Sequence, residues 1–162
     1  MPLEELKVRA RVRLNGEKRA GAGEGRKLRH CLHEVARETG FSDWEHARRV
    51  LGGEASAQDD MGSMWHAPAC NAMLNEWHAD VAAARAALRP GRYLLPFHRQ
   101  FVVVDAGYVR ELGVDPADPA WTEIGFDLVA GYAGPAWQAL ARQRLRAPRA
   151  SFHPPRPALQ PR

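Results

Sequence analysis

The first third of the chain carries the clearest periodic pattern of apolar positions. Apolar and small residues recur there at intervals of three and four, at Leu28, Cys31, Leu32, Val35, Ala36 and Thr39. This spacing predicts an amphipathic helix, and Gly40 stands where a left-handed residue would end it. Ser42 and Glu45 have the spacing of a capping box, which predicts a second helix running to about Leu51. We therefore expect a helical hairpin over residues 26–52.

The pattern changes to a β-type pattern in the middle of the chain. Residues 93–96 and 100–105 are rich in aromatic and β-branched side chains, which predicts either a hairpin or one strand bent at Pro96. The alanine-rich residues 77–88 predict a helix. The predicted fold class is α+β, mostly α-helical, with an N-terminal helical hairpin and a small two-stranded element near residues 93–105.

Length and charge predict one domain with basic ends. Residues 1–30 hold nine Lys/Arg and four Glu, a balance of +5, and residues 142–162 hold six Arg and no acid, a balance of +6. Because the whole chain carries +4, the residues between these ends carry −7. We expect a basic N-terminal arm at 1–25, a single globular domain at 26–147 and a disordered Pro/Arg-rich tail at 148–162.

No segment has the composition of a membrane span or a secretory signal. No apolar run approaches the roughly 18–20 residues that cross a bilayer, and the charged residues 1–13 lack the apolar centre of a signal peptide. We expect a cytoplasmic protein with no membrane partner and no cofactor. The two cysteines, Cys31 and Cys70, are too few for a disulfide framework and are expected as reduced thiols.

Residues of the predicted hairpin also match a more specific pattern. Eight of them agree in type and spacing: Val35, Ala36, Gly40, Phe41, Ser42, Asp43, His46 and Arg49. On these residues, the segment 28–51 resembles the helix-turn-helix of AraC-type transcription regulators. The resemblance implies a tight turn at Gly40, a plug between the helices at Phe41, and a second helix that enters a major groove. Ala47 and Leu51 stand where that family has phenylalanine.

The same segment fits another pattern about equally well. Its spacing of Leu28, Leu32, Ala36, Gly40, Phe41 and Trp44 resembles a helical hairpin with a Gly-Phe-x-x-Trp motif in uncharacterised small bacterial proteins. Trp44 belongs to this pattern and not to the AraC-type one. Segments around Trp65, Leu74, Trp77, Tyr93, Gln100 and Leu112 likewise resemble bacterial proteins of unknown function. The hairpin therefore either reads DNA or only packs within the domain.

Basic residues are the candidates for contacts with nucleic acid. The predicted contact residues are Arg9, Arg11 and Arg13 in the N-terminal arm and His46, Arg48 and Arg49 in the hairpin. Because Asp43 and Glu45 cancel the charge of the hairpin arginines, we expect the arm to make most phosphate contacts, with little dependence on base sequence. The predicted function is a small non-catalytic binding protein whose partner is nucleic acid or an acidic protein. The alternative is protein–protein interaction, as an accessory or antagonist factor.

A small metal- or thiol-dependent enzyme is the weaker alternative. His66, Cys70 and His78 lie near one another along the chain, and a second group consists of His30, His33 and Glu34. Neither group has the ligand spacing of a zinc motif, so we expect no metal site and no catalytic residue.

The acidic stretch and the tryptophans are interpreted first as structural. The acidic stretch 105–127 has Asp115 and Asp118 at positions typical of turn and helix caps; docking of the basic ends is the alternative. All five tryptophans stand in apolar patterns and are expected in the core. Trp44 in particular is expected to be buried against Leu32, Val35 and Phe41.

Overall fold

The computed structural model describes residues 1–154 and has a mostly helical α+β fold, as predicted. Its seven α-helices are α1 (Pro2–Arg19), α2 (Leu28–Glu38), α3 (Trp44–Leu51), α4 (Val81–Ala87), α5 (Ala106–Glu111), α6 (Pro119–Glu123) and α7 (Pro135–Arg146). Its three strands are β1 (Glu76–His78), β2 (Tyr93–Phe97) and β3 (Gln100–Val104). Short 3₁₀ turns cover Pro68–Ala72 and Arg149–Ser151.

The strands form one antiparallel sheet with β3 in the centre. Strands β2 and β3 make a hairpin, the first of the two predicted alternatives, in which Phe97 pairs with Gln100 across a two-residue turn. The third strand was missed: Trp77 pairs with Val102, although the alanine-rich pattern had placed Trp77 inside a helix. That helix begins only after Asp80, whose side chain accepts a hydrogen bond from the Ala82 amide.

The helical hairpin of α2 and α3 is present, with one correction at its turn. The N-cap of α3 is Asp43, not Ser42, because the Asp43 carboxylate accepts the His46 amide at 2.8 Å. Gly40 has φ +103° and closely approaches the backbone of residues 63–64, where a Cβ would lie 2.6 Å from the Met64 nitrogen. A glycine is therefore required at this turn on steric grounds.

The N-terminal arm predicted at residues 1–25 is wrong, because α1 belongs to the domain. Leu6 and Ala10 on this helix are fully buried in the main core. Helix α1 packs against α2, α3 and α7. Its place in the core is not evident from the sequence, since the buried Leu6 and Ala10 stand among lysines, arginines and glutamates.

The predicted disordered tail is also wrong over residues 148–154. Phe152 is buried, and its ring lies against the guanidinium of Arg144 with 3.7 Å from centroid to Cζ. Ser151 accepts two hydrogen bonds from the same guanidinium, one on its hydroxyl and one on its carbonyl. The rest of that predicted tail, residues 155–162, lies outside the described residues.

Three of the five tryptophans lie in the core. Trp65, Trp121 and Trp137 are buried as expected, whereas Trp44 is only partly buried at the edge of the main core. Trp77 is 43% exposed and follows Leu74, which is 97% exposed. A smaller apolar cluster joins α4 to the sheet through Ala84, Leu94, Phe101 and Val103.

Within residues 1–154, no helix is both long enough and apolar enough to cross a membrane.

Candidate functional site

The three arginines predicted on the N-terminal segment are divided between two sides of α1. Arg9 and Arg13 lie one helical turn apart and are partly buried against the domain, whereas Arg11 is exposed to solvent. Arg9 donates to the Leu145 carbonyl. Arg13 donates to Glu34 at 3.3 Å and to Glu38 at 2.7 Å. Among residues 1–154, Arg11 is the member of this trio that makes no internal ion pair or side-chain hydrogen bond.

Further exposed cations lie on the same two N-terminal helices as Arg11. Those without an ion pair among residues 1–154 include Lys18 and Arg19 at the end of α1, and Lys27 and Arg29 at the start of α2. Together with Arg11 we call them the basic face. Sequence reasoning did not select these four residues individually, although the +5 balance of residues 1–30 contained the signal.

Other cations near the chain ends are neutralised within the protein. Arg26 donates to Glu17 at 3.1 Å and to Glu34 at 2.7 Å, Arg146 contacts Glu5 at 2.6 Å, and Arg149 contacts Glu38 at 2.7 Å. Among residues 1–154, no ion pair joins the acidic stretch 105–127 to these cations. Its carboxylates on Asp105, Asp115 and Asp118 accept backbone amides at helix and turn starts, which is the capping role expected for Asp115 and Asp118.

The predicted contact residues of α3 are all engaged locally. Arg48 pairs with Glu45 and Glu54, and Arg49 pairs with Asp59 at 2.6 Å. His46 Nδ1 accepts the Ser42 amide, so Nε2 carries the ring proton and donates to the Asp60 carbonyl at 2.6 Å. Helix α3 therefore offers little unpaired charge for a phosphate backbone.

The residues of the enzyme alternative do not form one site. Among residues 1–154, no convergent group of three metal-ligating atoms includes His66, Cys70 or His78. Cys70 is fully buried, and burial raises the pKa of its thiol, which disfavours a nucleophilic thiolate. Nε2 of His78 is buried and has no hydrogen-bond partner within the described residues 1–154.

His66 instead forms a pair with a histidine that sequence reasoning missed. Its Nδ1 lies 2.6 Å from Nε2 of His153, and the two rings are nearly parallel at 14°. Phe97, Tyr108 and Trp77 surround the His66 ring at centroid distances of 5.1, 5.8 and 6.2 Å. Burial, with the charges of His153 and Arg144, lowers the pKa of His66 to about 4.

The turn of the β2–β3 hairpin brings another histidine to the same side of the domain. His98 has φ +51°, an uncommon value for a residue with a Cβ, and its amide donates to the Gly62 carbonyl at 2.9 Å. His98 Nδ1 lies 2.9 Å from a carboxylate oxygen of Asp60. These contacts attach the turn to the loop that follows α3.

In the described part of the chain, one group of metal-ligating atoms does converge, but a guanidinium already lies against it. Sγ of Cys31 and the carboxylates of Glu17 and Glu34 lie within 4.8 Å of one another. Arg26 donates to both carboxylates and approaches Sγ at 3.8 Å. Burial and the charge of Glu17 raise the pKa of the Cys31 thiol, so the group is a compact ion-pair cluster around a neutral thiol.

His30 and His33, the other members of the second predicted group, also have structural partners. His30 Nδ1 accepts the Lys27 amide at 2.9 Å, and His33 Nδ1 accepts the Trp44 amide at 3.1 Å. The first contact completes the N-terminus of α2, and the second joins α2 to α3.

Comparison with protein-family models, with curated proteins and with solved structures gave no match. The resemblance of residues 28–51 to the AraC-type helix-turn-helix therefore stays a prediction, as does their resemblance to the Gly-Phe-x-x-Trp hairpin. The chain's own charges and contacts are the basis for a proposed function.

Proposed function

We propose that this protein is a non-catalytic binding protein that contacts the phosphate backbone of nucleic acid through its basic face. The observation that carries the proposal is the grouping of exposed cations without ion pairs on α1 and the start of α2: Arg11, Lys18, Arg19, Lys27 and Arg29. Binding that rests on such charges depends on salt and is insensitive to sequence, because phosphates carry no base identity.

The dimensions of α1 suit a polyanion. From Arg11 to Arg19 the helix axis extends about 12 Å at 1.5 Å per residue. Duplex DNA carries about seven phosphate charges over that length. Several cations on one helix can therefore neutralise phosphates together, whereas a protein surface rarely presents so dense a line of negative charge.

The internal pairing of α3 argues for backbone contacts over base reading. A recognition helix needs side chains free to reach base edges in the groove. Arg48, Arg49 and His46 each have an intramolecular partner, which a base would have to displace. The basic face needs no such displacement.

The proposal is tested by comparing variants that remove cations from the basic face with variants that remove cations from α3. Arg11→Gln, Lys18→Gln and Arg19→Gln together remove three unpaired cations, while Arg48→Gln with Arg49→Gln removes two paired ones. At about 50 mM salt, where phosphate contacts are strong, the triple variant should bind unrelated duplex DNA and RNA at least tenfold more weakly than the double variant.

Two outcomes would contradict the proposal and identify a replacement. No binding of the wild-type protein at about 50 mM salt would favour the protein-partner alternative, with exposed Leu74 and Trp77 as its first candidate surface. Tight binding to one sequence, abolished by Arg49→Ala, would favour the AraC-type resemblance.

A further inference from the structure

A cleft lies between the middle of α1, the end of α2 and the segment that follows α7, residues 147–152. Its volume is about 280 Å³, far above the 10–15 Å³ that one water molecule requires by the same measure. Its lining includes Arg9 and Arg13 of α1, Glu38 at the end of α2 with the following Thr39, and Arg149 and Phe152 of the segment after α7. Sequence segments more than 130 residues apart therefore meet at one cavity.

The cleft has an excess of positive charge. Three arginines, Arg9, Arg13 and Arg149, line it together with a single acidic residue, Glu38. A guanidinium has five N–H donors. The protein uses one donor of Arg9, two of Arg13 and one of Arg149, which leaves most of them for another acceptor.

Glu38 lies between two of these arginines. One of its oxygens accepts from Arg13 at 2.7 Å and the other from Arg149 at 2.7 Å. A bridging carboxylate of this kind has the charge and the geometry of an anionic ligand held by two guanidinium groups.

We propose that the cleft binds a phosphate group held by Arg9, Arg13 and Arg149, and that Glu38 competes for the same donors. Arginine forks match the oxygens of phosphate in pairs, and three of them around one cavity supply more donors than a lone carboxylate can use. The phosphate belongs either to a free phosphate monoester or to the terminal phosphate of a nucleic-acid strand.

This inference is independent of the basic face. Arg11, Lys18 and Arg19 do not line the cleft, and none of the cleft residues belongs to the basic face. Failure of one proposal therefore leaves the other standing, and the two sets of variants separate them.

The test is calorimetric titration of the full chain with inorganic phosphate at constant ionic strength. Glu38→Gln removes the competing charge and should tighten phosphate binding about tenfold, the effect of one charge-assisted hydrogen bond. Arg13→Gln and Arg149→Gln should each weaken it by about tenfold or more. Glu45→Gln, which releases Arg48 away from the cleft, is the matched control and should leave it unchanged.

A phosphate affinity that Glu38→Gln leaves unchanged or weakens would overturn the proposal. If Glu38→Gln does not fold, Arg149→Gln decides the question, since the Arg149 side chain is 75% exposed and its loss spares the core. Unchanged phosphate binding in that variant would equally overturn the site.

A second arm distinguishes the two sources of phosphate. Glycerol phosphate is compared with a short oligonucleotide that carries or lacks a terminal phosphate. If the oligonucleotide binds more tightly with its terminal phosphate than without it, and Arg149→Gln abolishes this difference, the site binds strand ends. Binding of glycerol phosphate alone assigns it to a free monoester, and binding of neither contradicts the proposal.

Discussion

At the residue scale, Arg144 has the most demanding position in the domain. It is fully buried, and no carboxylate pairs with it among residues 1–154. Its five donors are all satisfied, by the carbonyls of Met64, His66, Leu112 and Ser151 and the hydroxyl of Ser151. Burial lowers the pKa of Arg144 to about 10, which still leaves it charged at neutral pH.

We expect Arg144→Ala to lower the free energy of unfolding by about 3–5 kcal/mol. The change leaves buried carbonyls without donors and a cavity beside Phe152. Arg142→Ala, on the exposed side of the same helix, is the control and should stay within about 0.5 kcal/mol of wild type. Urea unfolding of both variants provides the comparison; equal losses would show that Arg144 does not organise the core.

The lowered pKa of His66 gives a second residue-scale prediction. Because the folded pKa is about 4 and the unfolded value is 6.5, the unfolded chain binds more protons as the pH falls. The free energy of unfolding should therefore fall by up to about 3 kcal/mol between pH 6.5 and pH 4. In His66→Phe this fall should be smaller, as measured by urea unfolding at pH 7 and pH 4.5. An identical pH dependence in the variant would contradict a buried, neutral His66.

At the element scale, α1 packs in the core although most of its residues are charged or polar. Val8 and Val12 are more than half exposed, while Leu6 and Ala10 are buried, so its apolar residues follow no single helical period. The sequence therefore resembles a basic arm. Contacts with α2, α3 and α7 hold α1 in the domain. The spacing of apolar residues along α1 does not predict those contacts.

We predict that Leu6→Ala lowers the free energy of unfolding by about 2–5 kcal/mol, the usual cost of removing a buried leucine side chain. Val12→Ala, at a 65% exposed position of the same helix, should change it by less than about 0.5 kcal/mol. Chemical denaturation measures both. A near-neutral Leu6→Ala would mean that α1 is a separate arm after all.

The elements with strong local signals were the ones that sequence predicted well. The stripe of α2 and the β-branched run of β3 specify their own structure and were predicted correctly. Strand β1 was missed because its three residues are defined by pairing with β3 and not by composition. His153 was missed for the same reason, since only the folded chain brings it to His66.

At the scale of the whole molecule, the sequence predicted the distribution of charge along the chain more accurately than the contacts that these charges make. The +5 and +6 balances of the chain ends are present in the sequence. Folding pairs much of that charge internally, for example between Arg146 and Glu5 at the two ends of the chain. Of the six residues predicted to contact nucleic acid, Arg11 alone remains exposed and without an internal partner among residues 1–154.

The dependence of nucleic-acid affinity on salt tests the basic face most directly. For duplex DNA the logarithm of the binding constant falls with the logarithm of salt concentration, with a slope of about −0.9 per neutralised phosphate. If Arg11, Lys18 and Arg19 each contact a phosphate, their combined change to glutamine should make that slope shallower by about 2–3, while Arg48→Gln with Arg49→Gln should leave it unchanged. A wild-type slope that the triple variant does not alter would contradict the account.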